Sequence, residues 1–347
     1  RQSEVIMRDE EVKFDGLMRS HDLSRTAMLL IAAASALRFA SGSTVLLSYI
    51  ALAGLAVLGR QNTIYALALS WFFSMLNPEL VPEGSAGLGR YFVIAGGLVA
   101  VAMEVLRGQR YVRVVLRDPA FLVAVLLWIF VIGHSILVSP MLDVSLLKIT
   151  SWLFSVLIMI TAWFSLDDAL FDRTVEGLYK GLAAVAFLSV PLLFLRSGYS
   201  VNGTGFQGVL NHPQGMGMTM AFLSVWAIAR VLTSVRVSGI SYLVAGIASL
   251  FVVLSEARTG GLSVFFSLSA AVFWFVFFSP TPLSRTIPGL SGGRAGLLYV
   301  AAAAALVAFG PQLMDFMHEF LSKSGRADVG GVVDAYDKSR GLVMYRM

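Results

Sequence analysis

The chain has 347 residues, of which 57% are apolar and only 14% charged, whereas soluble domains carry about 25% charged residues. This excess of apolar surface excludes a soluble fold, because a core of this size could not hide it from water. The net charge of +5 is scattered between apolar runs, which excludes a nucleic-acid surface, and the absence of cysteine excludes disulfides and thiolate sites. We therefore predict an all-α, polytopic membrane helical bundle.

Eleven apolar runs follow one another, most of about the length that crosses a bilayer, ~17–25 residues. They cover residues 27–40, 43–59, 63–78, 91–106, 119–138, 147–165, 178–195, 214–234, 239–255, 258–278 and 296–313. The first run is short and interrupted by Arg38, which favours a half-helix or an interfacial segment, so we expect 10–11 spanning segments. Structural roles are expected for Arg38, Glu104 and His134. Gly and Pro cluster in 197–217 and 279–294, which indicates loops.

Positive charge in the short loops predicts the orientation of the bundle. The loop 107–117 carries four arginines, which places it in the cytoplasm by the positive-inside rule. Alternation then predicts a cytoplasmic segment at 1–26 and a transmembrane domain at 27–313, whose glycine-rich loop 196–213 lies outside. The last segment, 314–347, is expected to begin an outer loop that continues beyond this sequence.

A short polar stretch at 255–261, reading Ser-Glu-Ala-Arg-Thr-Gly-Gly, separates two long apolar runs. A guanidinium such as that of Arg258 can hold a phosphate through two parallel hydrogen bonds, and it costs less near the interface than at a helix centre. Glu256 and Arg258 therefore predict a polar site that opens to the outer face. The alternative is an ordinary interfacial loop, or a structural ion pair made by Glu256.

The outer glycine-rich loop runs into a helix start at residues 203–217. Pro213 suits the first turn of a helix, and the exposed amides of a helix start favour an anion. His212 is a candidate general base or hydrogen-bond donor in this position. The alternative is a re-entrant loop in which His212 only caps the helix.

Further cations fall on the predicted outer side of the membrane. Arg196 precedes the glycine-rich loop, and the tail adds Lys323, Arg326 and Arg340. An anionic head group would need such charges, although a solvated loop explains the tail cations equally well. The sequence has only four histidines and lacks the common zinc-protease, Walker, GxSxG and EF-hand patterns, so we expect neither metal nor cofactor.

The two motifs, in their order along the chain, resemble a known family. The stretch 255–260 is similar to the Ser-Arg-Thr/Gly-Gly stretch of O-antigen ligases and O-antigen or exopolysaccharide polymerases. The turn 211–217, reading Asn-His-Pro-Gln-x-x-Gly, and the later pair Ser339-Arg340 also follow the order of that family. The resemblance covers about residues 195–347, whereas residues 1–190 match only in hydropathy.

The resemblance implies an integral glycosyltransferase of the bacterial inner membrane. Such an enzyme moves a glycan from an undecaprenyl-diphosphate carrier to a hydroxyl of a glycan or lipid-linked acceptor on the outer face, without nucleotide sugar or required metal. Arg258 would bind the diphosphate, with Arg196 as a second ligand, and Arg340 would lie in or near the loop that covers the site. The family's His-Asn pair has no counterpart before Met347, so the site is expected to be incomplete here.

These arguments assign candidate catalytic roles to Arg258, His212 and Glu256. The candidate ligands of the diphosphate or glycan are Arg258, Arg196, Arg340, Arg326 and Lys323. Two other classes of protein compete with this assignment. A transporter or flippase for a lipid-linked or anionic solute would need polar groups near the bilayer midplane, often in repeated halves, and a structural or regulatory membrane subunit would need no site.

Overall fold

A computed structural model describes residues 25–82, 84, 86–106, 117–200, 205–233 and 238–278 of the chain. Ten α-helices contain most of these residues, and no described residue belongs to a β-strand longer than an isolated bridge. Ten of the eleven predicted runs form helices, and the eleventh, 296–313, lies outside the described residues. The prediction of an all-α, polytopic membrane bundle is therefore confirmed.

The ten helices are labelled in chain order. They are α1 (Arg25–Ala40), α2 (Val45–Val57), α3 (Arg60–Ser74), α4 (Ala86–Leu106), α5 (Pro119–Val138), α6 (Leu142–Phe164), α7 (Asp168–Ser189), α8 (Pro213–Thr233), α9 (Gly239–Leu254) and α10 (Arg258–Phe277). The chain forms two compact units, Arg1–Tyr179 and Lys180–Met347, so that the boundary falls within α7.

Five described segments are long and apolar enough to cross a membrane. They are Gly87–Leu106, Phe121–Val138, Leu142–Phe164, Asp168–Phe194 and Pro213–Thr233. Three further apolar helices are shorter, at Gly42–Val57, Gly239–Leu254 and Thr259–Ala271. Multi-pass insertion of this chain therefore follows from the length and composition of its described helices.

Several helices begin earlier than hydropathy alone predicts, α6 and α7 among them. The helix α6 starts at Leu142 rather than at residue 147, and α7 starts at Asp168 rather than at residue 178. The side chain of Asp167 accepts a hydrogen bond from the N–H of Leu170 at 2.8 Å, which caps the first turn of α7. Charged first turns thus extend both helices beyond their apolar runs.

The first unit is built around α2, which packs against α1, α3 and α4, while α6 packs against α3, α4 and α5. Its hydrophobic core includes Tyr49 and Phe73, whose rings meet edge to face with centroids 6.4 Å apart. At Gly96 of α4, a Cβ atom would lie 2.6 Å from the carbonyl oxygen of Ala53. The small residue therefore allows the backbones of α2 and α4 to approach closely.

Arg38 has a structural role, in agreement with the sequence prediction. Its side chain is 5% exposed, and its Nε donates to the carbonyl oxygen of Phe73 at 3.2 Å. Its Nη1 donates to the carbonyl oxygen of Pro82 at 3.0 Å. Because Phe73 lies in the last turn of α3, its carbonyl has no helical partner of its own, and the guanidinium also faces the negative end of that helix.

A second arginine joins three helices of the same unit. The Nη2 of Arg60 lies 3.1 Å from the Oε2 of Glu104, and its Nη1 donates to the carbonyl oxygen of Ser165 at 2.7 Å. These contacts connect the start of α3, the last turn of α4 and the end of α6. Glu104 is thus an ion-pair partner, and the pair lines a cavity of about 100 Å³.

Replacement of Arg38 by alanine should lower the stability of the first unit. The change leaves the Phe73 and Pro82 carbonyls without their partner, and each unpaired buried group costs about 1–3 kcal/mol. The midpoint of thermal unfolding in detergent should fall by several degrees, whereas Arg25→Ala, at an exposed position of α1, should leave it unchanged. Equal midpoints for both variants would contradict the role given to Arg38.

Candidate functional site

The first turns of α8 and α10 lie side by side, which brings together the two motifs found in the sequence. A Cβ atom on Gly260 would lie 2.8 Å from the carbonyl oxygen of Gly217. The helix α9 connects the two and packs on both. Two helix N-termini, the positive ends of the helix dipoles, therefore lie at the same end of the second unit.

The glycine-rich loop is held against the second motif by backbone contacts. The N–H of Phe206 donates to the carbonyl oxygen of Leu254 at 2.8 Å, and its ring packs on Phe251 with centroids 4.9 Å apart. Gly205 has a φ of +71°, and a Cβ atom there would collide with the carbonyl oxygen of Ser255. Glycine at this position therefore satisfies both a left-handed backbone and a close approach.

The other side of the loop is bonded to the turn that carries Arg196. The carbonyl oxygen of Gly198 accepts hydrogen bonds from the N–H groups of Gln207 at 2.9 Å and Gly208 at 3.0 Å. Gly198 closes the 3-10 turn that Arg196 begins, and the side chain of Arg196 is exposed. The structure thus places Arg196 beside the glycine-rich loop, although the sequence spacing between them is loose.

His212 caps the start of α8. Its Nδ1 accepts a hydrogen bond from the N–H of Gln214 at 3.1 Å, and its carbonyl oxygen accepts one from Met216 at 3.0 Å. Pro213 is the first residue of the helix, as predicted from sequence. Because Nδ1 is the acceptor, a neutral ring that keeps this bond carries its proton on Nε2. The capping contact named as the alternative is therefore present, and the general-base and donor roles of His212 stay predictions.

Glu256 occupies a strained position between α9 and α10. Its φ is +52°, which costs an L-residue about 1–2 kcal/mol, and its side chain is exposed. The turn is fixed from below by Ser255, which is buried and whose Oγ accepts the N–H of Ala257 at 3.4 Å. Arg258 follows as the first residue of α10, and its side chain lies outside the described part of the structure.

The site has a buried floor and an exposed polar rim. Residues 205–210 are all buried, whereas Arg196, His212 and Glu256 are exposed around them. The remaining predicted ligands lie outside the described residues: Lys323, Arg326 and Arg340. In the described ranges, no three His, Asp or Glu side chains cluster as metal ligands. The described residues of the site can therefore offer hydrogen-bond donors, one guanidinium and one carboxylate.

Ser189 is a residue of this site that sequence reasoning missed. Its Oγ is buried, donates to the carbonyl oxygen of Val185 at 2.8 Å and accepts the N–H of Val209 at 3.2 Å. A Cβ atom on Gly208 would lie 2.6 Å from that oxygen. Ser189 lies within a long apolar run and belongs to no motif. The sequence indicated its role only indirectly, through Gly208, the glycine that allows the loop to approach it.

No protein-family description, no curated protein and no solved structure matches this chain. The class that its fold defines is that of a multi-pass α-helical membrane protein. The resemblance of its two motifs to the polysaccharide ligases and polymerases stays a prediction.

Alanine at position 217 should separate the first turns of α8 and α10. Its Cβ atom would collide with Ala257 and with the Oγ of Ser255. We expect a net loss of about 1–2 kcal/mol, since overpacking costs about 1–3 kcal/mol and alanine returns at most about 1 kcal/mol of helix propensity.

The matched control is Gly246→Ala in α9, where a Cβ atom meets nothing within 4 Å. Thermal unfolding in detergent should show a lower midpoint for Gly217→Ala and an unchanged or higher midpoint for Gly246→Ala. Identical behaviour of the two variants would mean that the close approach does not constrain the site.

Proposed function

We propose that this protein is a membrane glycosyltransferase that moves a glycan from an undecaprenyl-diphosphate carrier to a sugar hydroxyl. The observation that carries the proposal is the adjacency of the α8 and α10 first turns beneath an exposed rim that includes Arg196. A departing diphosphate develops negative charge, which helix N-termini and guanidinium groups stabilise without a metal. The motif order that resembles the surface polysaccharide ligases and polymerases supports the same chemistry.

Arg258 and the three rim residues each have a role in this proposal. Arg258 binds the diphosphate, because it begins α10 beside the first turn of α8, and Arg196 is the second cationic ligand. His212 donates a hydrogen bond from Nε2 to the lipid-linked glycan or to the departing diphosphate. Glu256 is the carboxylate of the rim, and it can accept the proton of the acceptor hydroxyl.

The proposed location is the bacterial inner membrane, with the N-terminus in the cytoplasm and the active face in the periplasm. The four arginines of the loop 107–117 support this orientation by the positive-inside rule. With the rim at the outer interface, the lipid-linked donor reaches the site laterally from the membrane. Arg326, Arg340 and Lys323 of the tail would then lie on the same outer side.

A flippase for the lipid-linked glycan is the competing function. It requires polar groups near the bilayer midplane, and the cavity beside Arg60 and Glu104 is the described feature that comes nearest to such a path. That cavity lies where α3 begins and α4 ends, so the ion pair joins helix ends. The rim around the glycine-rich loop therefore supports transfer better than transport.

Glycan transfer by the purified full-length protein tests the proposal. The assay supplies a polyprenyl-diphosphate-linked glycan and a glycan acceptor in detergent with EDTA, and a gel separates the products. Arg258→Ala should lower the rate by at least about 100-fold, the loss typical of a removed charge-stabilising donor. Arg258→Lys should retain part of the activity, because a point charge replaces the guanidinium fork.

The control is Arg230→Ala, which removes an arginine near the opposite end of α8 and should leave the rate unchanged. Equal loss in both arginine variants, with normal unfolding midpoints, would contradict the assigned role of Arg258. If the wild type transfers no glycan but vesicles that contain it move the lipid-linked glycan between leaflets, the flippase replaces the transferase.

A further inference from the structure

A groove of about 250 Å³ runs between α5 and α6 in the first unit. Its lining is almost wholly apolar and contains Leu127, Trp128 and Val131 of α5, and Lys148, Ile149 and Trp152 of α6. Both helices are long and apolar enough to cross a membrane, and α5 packs along α6. Leu127 and Trp152 of the lining are 48% and 44% exposed, so the groove opens on the surface that would meet the hydrocarbon phase of the bilayer, where an acyl chain is the natural occupant.

Lys148 is the charged member of this lining. It lies within the spanning segment Leu142–Phe164, and its ammonium group makes no hydrogen bond or ion pair with any described residue. A lysine inside a spanning helix ordinarily pairs with a protein group or extends to the head-group region. No described carboxylate pairs with this ammonium. An anionic lipid head group of the surrounding membrane can therefore act as its counter-ion.

The depths of these side chains follow from the helix rise of about 1.5 Å per residue. Lys148 lies six residues, about 9 Å, from the start of α6 at Leu142. Trp152 lies about 15 Å from that start, and Trp128 lies about 15 Å from the end of α5 at Val138. The lysine thus marks the shallow end of the groove, and the two indole rings form its deeper walls.

Trp128 adds a polar atom to the apolar wall. Its Nε1 is buried and has no hydrogen-bond acceptor in the part of the chain that the structure describes. Indole N–H groups usually find an acceptor when they are buried. Because a buried atom is closed to the groove, the groove itself offers one cation, Lys148, and an apolar channel, which is the chemistry of a lipid with an anionic head group.

We propose that the α5–α6 groove binds an anionic phospholipid, with its phosphate on Lys148 and one acyl chain between Trp128 and Trp152. A single ammonium matches the single charge of a phosphatidylglycerol head group. The carrier diphosphate of the proposed transfer reaction needs more than one cation, and the arginines assigned to it belong to the second unit. This site is thus independent of the proposed transferase activity.

Native mass spectrometry of the full-length protein in a neutral detergent can test this site. The protein is titrated with phosphatidylglycerol or phosphatidylcholine of the same acyl composition. Lys148→Gln should weaken phosphatidylglycerol binding by about fivefold, as expected for one lysine beside an anionic lipid, and should leave phosphatidylcholine unchanged. Lys148→Arg should restore the preference for the anionic lipid, which a purely structural role of Lys148 would not predict.

A second pair of variants tests the groove itself without changing its charge. Val131→Trp fills the groove and should reduce the binding of both lipids, whereas Leu126→Trp, at a position of α5 that is 66% exposed and outside the lining, should not. The proposal fails if Lys148→Gln keeps the wild-type preference, or if Val131→Trp and Leu126→Trp behave alike. Stronger retention of a polyprenyl phosphate than of phosphatidylglycerol would overturn the choice of a phospholipid.

Discussion

Backbone groups at helix ends need partners, because lipid supplies no water to bond them. This constraint explains polar contacts within each of the two units. In the first unit, Arg38 pairs carbonyls beyond its own helix, and Arg60 pairs the carbonyl at the end of α6. In the second unit, the carbonyl of Gly198 accepts two N–H groups of the glycine-rich loop, and Phe206 bonds the end of α9. In the second unit, the contacts that satisfy these backbone groups also fix the buried loop 205–210, around which the rim residues lie.

Hydropathy predicts the helices well because a membrane makes apolar length the dominant signal. The starts of α6 and α7 were misplaced, since their first turns carry charged residues that an apolar window does not include. The motif at 203–217 predicted a helix start at Pro213 correctly, because proline and its flanking cap have a local cause. A helix start can therefore be predicted from proline and capping residues even where the length of the apolar run does not define it.

The assembly of the candidate site depends on pairings between distant segments, which no local pattern encodes. Gly217 and Gly260 touch only after α9 has folded back between them. The role of Ser189 follows from a partner 20 residues away, and the buried state of Arg38 follows from two carbonyls further along the chain. Residue type indicated which side chains could bind a ligand or transfer a proton. Tertiary contacts determined which of those side chains instead hold the fold together.

The contacts of Arg38 also bear on the order in which the protein enters the membrane. Its two acceptors, the carbonyls of Phe73 and Pro82, lie 35 and 44 residues downstream. When α1 leaves the ribosome, neither acceptor has emerged with it, so a guanidinium in lipid at that moment would be unpaired. The first helix must therefore wait at the interface or within the translocon until α3 and the following turn have emerged. The pairing therefore favours the placement of α1 together with the end of α3, rather than helix by helix.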